Sequence, residues 1–138
     1  EDSATANSKI STTLTVQEYI VYSASFNVPA FYFTAHTANG TPCSLGELLD
    51  SAFFKVKPPG GSEATDYALT FPSVPFPLLS QGELPGIGVT GWYFHPCETA
   101  AAVDEFLVEV AEANWSEETR LVRWIELWLM IVGSVLNV

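Results

Sequence analysis

Two β-type runs joined by a short Asn-Val-Pro link constrain this chain more than any other feature. Thr12 to Ser25 is rich in Thr, Val, Ile and Tyr. Leu14, Val16, Ile20, Tyr22 and Ala24 fall on one face with period two, as a strand requires. Glu18 breaks the alternation and marks an exposed end or a bulge. After Asn27-Val28-Pro29 a second run, Ala30 to Thr37, sets Phe31 and Phe33 alternately against Tyr32 and Thr34. So short a link between two strands predicts an antiparallel hairpin.

The remaining elements follow from local chemistry. Asn39-Gly40 tolerates positive φ and reads as a turn. Ser44-Leu45-Gly46-Glu47 has the spacing of a capping box, and a helix from Leu45 to about Phe53 follows. Pro58-Pro59-Gly60-Gly61-Ser62 is a surface loop, and Tyr67 to Phe71 is a short strand. Pro72, Pro75 and Pro77 deny ladder pairing, and Gly82, Pro85, Gly86 and Gly88 prolong an irregular segment. So long an irregular stretch in a small domain points to a functional loop. Gly91 to His95 is an aromatic strand.

Two helices close the chain. The first spans about Thr99 to Ala113, with an apolar stripe of Val103, Phe106, Leu107 and Val110 opposite Asp104, Glu105, Glu109 and Glu112. The second is capped by Ser116, with Glu117 and Glu118 at the positive end of its dipole. Leu121, Trp124, Ile125 and Trp128 are its expected buried face, and Met130 to Val132 an all-round packed end. Strands first and helices last is an α+β plan.

The chain has 138 residues, 48% hydrophobic, which is enough for one domain with a packed core. Residues 1–11 read as a flexible tail and 12–138 as that domain. Residue 1 is Glu, so the expectation is that a leader was removed or that more chain lies upstream. Lys plus Arg number 5 and Asp plus Glu 16, for a net charge of -11, and no Lys or Arg falls between Pro58 and Thr119. Such a surface repels phosphate backbones and anionic headgroups, which argues against nucleic acid and lipid surfaces and for a partner with a basic face. The longest apolar run, Leu127 to Val132, is far short of the roughly 20 residues of a membrane span, so stable membrane insertion is not expected.

The chemistry concentrates at Trp92-Tyr93-Phe94-His95-Pro96-Cys97-Glu98-Thr99. Pro96 ends the strand and leaves Cys97 at a strand-to-helix corner. A helix N-terminus stabilises a thiolate, the nucleophilic form, while Glu98, Asp104 and Glu105 oppose it. The plainer reading makes Cys97 a small buried hydrophobe, and Cys43 likewise. His95 could act as a base for Cys97, but residues i and i+2 flanking a proline in an extended segment rarely face each other. His36 reads as structural or exposed. A Cys43–Cys97 disulfide is possible but disfavoured in a reducing compartment. The four dispersed Cys and His residues, with no short-spaced pair of a zinc site's kind among them, argue against zinc, and Gly86-Ile87-Gly88 lacks a phosphate loop's remaining glycine and lysine. No Asp or Asn stands out as the third member of a hydrolase constellation.

Phe94-His95-Pro96-Cys97-Glu98-Thr99 resembles the site of the E2-like conjugating enzymes of autophagy. Two further blocks narrow the resemblance to the autophagy-related protein 10 family: Tyr19 to Pro29 running into Phe31-Tyr32-Phe33, and Trp128-Leu129-Met130-Ile131-Val132-Gly133. The resemblance implies an E2-like fold, an antiparallel β-meander packed against C-terminal helices. The family's N-terminal helix and first strand have no counterpart here. It also implies that Cys97, with His95 beside it, is catalytic. Cys97 would receive a ubiquitin-like modifier as a thioester from an E1-like activating enzyme and pass it to a lysine of an acceptor protein.

No cofactor or metal is implied, since the activator consumes ATP, and the expected compartment is cytoplasmic. Ordinary ubiquitin-conjugating enzymes carry an Asn where Cys97 stands. The N–H groups of Glu98 and Thr99, or the His95 side chain, are then the candidate oxyanion donors. The family's usual Tyr is Phe26 in this chain, so Phe26 is given no catalytic role. The competing reading is an E2-shaped binding module without chemistry.

Overall fold

A computed structural model describes residues 13–138. The tail expected at residues 1–11, and Thr12, lie outside the described residues. The element order is β1 (Leu14–Ser23), β2 (Val28–Thr37), α1 (Leu45–Asp50), β3 (Glu63–Ala64), β4 (Ala68–Thr70), β5 (Leu79–Glu83), β6 (Thr90–Phe94), α2 (Pro96–Val110) and α3 (Glu117–Val135). The strands form one six-stranded antiparallel sheet in the order β1-β2-β6-β5-β4-β3. The α+β class is what the sequence predicts, and the antiparallel sheet with C-terminal helices is the E2-like arrangement that the resemblance implies; the β1–β2 hairpin and the β3-to-β6 meander join where β2 pairs with β6.

The β1–β2 hairpin is the longest ladder. Its register runs without interruption from Leu14↔Thr37 to Ser23↔Val28. Glu18 therefore marks no bulge; it sits opposite Phe33. Leu14 and Val16 pack against the core, but Ile20 and Tyr22 are 61% and 64% exposed. The period-two face is real, yet the helices cover only its first half.

The irregular segment expected after Pro72 contains a strand. β5 is a central strand, paired on one side to β4 and on the other along the length of β6. Its sequence, Leu-Ser-Gln-Gly-Glu, lacks β-branched residues, and Gly82 argues against a strand on propensity alone. Packing overrides propensity there: a Cβ on Gly82 would lie 2.9 Å from the Tyr93 ring on β6. β3 is also unexpected.

The core is Phe31 and Phe33 of β2, Leu69, Leu79, Trp92 and Phe94 of the other strands, Leu45 and Leu48 of α1, Val103 of α2, and Trp128 and Val132 of α3. Ser44 caps α1 with the expected reciprocal bonds to Glu47, although the helix ends at Asp50. Two expected helix faces are corrected. On α2 only Val103 and Leu107 of the stripe are buried; Phe106 and Val110 are about half exposed. On α3 the face on the sheet is Trp124, Leu127, Trp128, Ile131, Val132 and Val135, with Leu121, Ile125 and Met130 outside. Both stripes were wide enough to allow more than one orientation, and the aromatic layer of the sheet selects the one that buries Trp128.

Beyond α3 the chain returns to the segment after α1. Phe54 bridges Leu136, the Lys55 N–H donates to Val135, and Asn137 N–H donates to Phe53. No helix among the described residues is long and apolar enough to cross a membrane.

Candidate functional site

β6 and α2 meet without a loop, and the corner they form holds the residues of interest. Tyr93 and Trp92 pair with Tyr32 and Phe33 on one side and with Ser80 and Gln81 on the other, so β6 is fixed on both edges. The strand's last tie is the His95 N–H donating to Leu78 C=O at 3.0 Å. His95 is then the N-cap of α2, with φ −65° and ψ 117°, and Pro96 takes the first helical position. Proline is at home there because its missing N–H would have no intrahelical acceptor. The helix thus begins three residues before the expected start and includes Cys97 in its first turn.

That early start changes the geometry of His95 and Cys97. They flank a proline at a helix entry, where the chain turns, and their side chains come to the same side. Nδ1 of His95 lies 2.9 Å from Sγ of Cys97. A neutral imidazole with a bare Nδ1 accepts from the thiol; an imidazolium donates to the thiolate. The expectation that these side chains would not face each other is therefore overturned. Cys97 is half-buried, neither sealed in the core nor freely exposed.

The oxyanion donors expected at Glu98 and Thr99 are engaged elsewhere. Both N–H groups donate to the His95 carbonyl, at 3.1 and 3.3 Å. The Thr99 hydroxyl donates to Pro96 C=O at 3.1 Å and is buried. The Cys97 N–H lies in the first turn, where helix geometry supplies no intrahelical acceptor.

Three aromatic rings surround the imidazole. Phe26, from the β1–β2 turn, meets it edge-on at 6.2 Å, and Tyr93 is tilted at 6.2 Å. Phe76, from the proline-rich loop, lies nearly parallel to it at 5.8 Å and 21°. Beside these rings a groove opens between Ser23, Phe26, Tyr32, Glu83, Tyr93 and His95. Its floor is the Tyr32–Tyr93 pair, 5.2 Å between ring centres, and Glu83 stands exposed at its edge. Burial, with the Tyr93 phenol alongside, pushes the Tyr32 phenol above its usual range.

The other candidates lie apart. Cys43 is 4% exposed, its N–H bonded to Ala35 C=O, and both cysteines are free. Burial chiefly, and the Glu47 carboxylate, push the Cys43 thiol upward. His36 sits toward the other end of β2 and bridges Pro42. Phe76 beside His95, and Tyr32 and Glu83 in the groove, are neighbours of this corner that the sequence does not single out. For Phe76 the sequence holds a signal: the stretch already reads as a functional loop, and an aromatic between two prolines is a rigidly presented ring within it.

The chain is similar to known proteins over most of its length. The chain is 29% identical to the human protein named ubiquitin-like-conjugating enzyme ATG10 over 119 residues, covering 86% of this chain and 47% of that protein. It is 23% identical to the Schizosaccharomyces pombe protein of the same name over 128 residues, covering 90% of this chain and 56% of that protein. The chain thus spans about half the length of the curated relatives it matches. The family described as autophagocytosis associated protein, active-site domain, matches residues 1–138. A chain with this sheet, this strand-to-helix corner and a match along its whole length belongs to the autophagocytosis associated protein family, as its active-site domain.

Proposed function

We propose that residues 12–138 form the catalytic domain of an E2-like conjugating enzyme of autophagy, acting in the cytoplasm. The observation that supports this reading is the 2.9 Å approach of His95 Nδ1 to a half-buried Cys97 Sγ at a helix start. A histidine within hydrogen-bond reach of a cysteine is one of the arrangements that activate a thiol nucleophile. The names of the two relatives support the class of reaction.

In the first step the Cys97 thiolate attacks the carbonyl of a thioester joining the ubiquitin-like modifier to a cysteine of an E1-like activator. A new thioester to Cys97 forms and the activator's thiolate leaves. In the second step the neutral amine of an acceptor lysine attacks the Cys97 thioester. An isopeptide bond forms, Cys97 leaves as thiolate, and the amine's surplus proton passes to a base or to solvent. His95 takes the thiol proton before the first attack. The lysine approaches along the groove lined by Tyr32 and Tyr93, which runs up to His95 and Pro96 beside Cys97. Glu83 favours the ammonium and draws the lysine in, whereas the aromatic walls strip its water and favour the neutral amine. With the Glu98 and Thr99 amides engaged, the Cys97 N–H and the His95 ring are the donors left for the oxyanion.

The test is a reaction with activator, modifier and ATP. Wild type gives an adduct that excess thiol cleaves. Cys97→Ser gives an oxyester that survives thiol, and Cys97→Ala gives none. If neither wild type nor Cys97→Ser forms an adduct, the transfer role is wrong and an E2-shaped binding module remains.

A further inference from the structure

We infer that Phe76 is a positioning residue for the reactive thiol: it holds the His95 ring at the orientation that points Nδ1 to Cys97. The inference rests on the reading of Cys97 as the nucleophile and names a part of that site which the transfer chemistry leaves unassigned.

Phe76 has no core role to explain its placement. Phe71, from the start of the same loop, packs against the core, whereas Phe76 is 50% exposed and absent from it. Its ring instead lies near-parallel to the His95 ring, offset from it, with 5.8 Å between ring centres. An imidazole at a strand end can rotate about both its side-chain torsions. Rotation about χ1, or a partial turn about χ2, that carries Nδ1 off the sulfur also takes the imidazole out of its parallel arrangement with Phe76. Phe26 closes the imidazole from another direction with an edge contact.

The backbone makes Phe76 a stiff support. Pro75 and Pro77 flank it, fixing their own φ and restricting Phe76 to extended conformations. Just beyond, Leu78 is pinned on both sides: its N–H donates to Leu69 C=O at 2.9 Å, and its C=O accepts from the His95 N–H at 3.0 Å. The loop that presents the ring is therefore hydrogen-bonded to the very residue the ring covers. A tie this direct gives the proline-rich segment a function that its lack of regular pairing does not.

The experiment is the alkylation rate of Cys97 by iodoacetamide at neutral pH, read by mass spectrometry of the Cys97 peptide. Neither modifier nor activator is needed. Phe76→Leu, which keeps bulk and removes the ring, slows alkylation by about three- to tenfold, the range that loss of one ring contact allows. Phe76→Tyr keeps the ring and stays within about twofold of wild type. In a His95→Ala background, itself slowed, Phe76→Leu brings no further loss, because nothing is left to position. Three results overturn the inference: Phe76→Leu at the wild-type rate, an equal loss in the presence and absence of His95, or His95→Ala alkylating like wild type. A protein that alkylates as expected but accepts no modifier keeps the positioning role and refutes only the transfer reading.

Discussion

Nε1 of Trp124 donates to Oδ1 of Asp104 at 3.0 Å, joining α3 to α2 across their exposed seam. α2 is the helix whose first turn carries Cys97, so this bond braces the site from behind. Its exposure keeps its contribution small despite the carboxylate acceptor. Asp104→Ala and Trp124→Phe are each expected to lower unfolding free energy by about 1 kcal/mol in urea titrations. The double variant should lose little more than either single one, because both remove the same bond. Additive losses would show that the two residues act separately.

Gly91 and Gly133 should answer the same substitution with opposite signs. A Cβ on Gly91 would lie 2.7 Å from the Phe33 carbonyl oxygen and closer still to Leu84. Neither the backbone of β2 nor the buried Leu84 can yield cheaply, so Gly91→Ala costs about 2–3 kcal/mol. A Cβ on Gly133 meets nothing within 4 Å. There, in the last turns of α3, Gly133→Ala stabilises by about 0.5–1 kcal/mol through helix propensity. Thermal melts of the two variants, one shifted down and one up, decide the matter.

The hairpin, the Ser44 and Ser116 caps and the aromatic strand before Pro96 were legible because each rests on local chemistry: periodicity, side-chain acceptors, a missing N–H. β5 was not, because Gly82 belongs to a strand only on account of the Tyr93 ring laid against it. The outward turn of Leu121 and Ile125 was not legible either, since a wide apolar stripe does not say which of its sides meets the sheet. At the site, Cys97 was legible from its corner. Its approach to His95 depended on the helix starting at Pro96, and the contact with Phe76 joins segments that only the fold brings together.

Stability should fall on the alkaline side through two groups. Burial pushes the Cys43 thiol above its ordinary 9.0 and the Tyr32 phenol above its ordinary 10.0. The unfolded chain releases both protons at lower pH than the native protein does. The stability they supply is therefore intact below about pH 9 and is lost as pH rises through the raised native values. The Tm is expected to decline from about pH 9 upward. Tyr32→Phe should flatten the part of the decline above about pH 10 and leave the part below unchanged. An identical slope in Tyr32→Phe would assign the decline to other groups.

Thr34 offers a test of whether every buried polar group in this sheet is useful. It lies on β2 at 5% exposure, and its hydroxyl oxygen has no hydrogen-bond partner. Its methyl carbon packs where a side chain on Gly91 would come, at 3.3 Å from that position, so the shape of the residue matters while its hydroxyl finds no match. Valine keeps the shape and the β-branch, suits a strand, and removes a donor and acceptor stripped of water. Thr34→Val is expected to stabilise the fold by about 1 kcal/mol. Leu48→Ala, at a fully buried α1 position, should cost about 3 kcal/mol on the same urea scale and calibrates the measurement. A loss of stability in Thr34→Val would mean that the hydroxyl is satisfied in solution, by an ordered water bridging β2 to its neighbour.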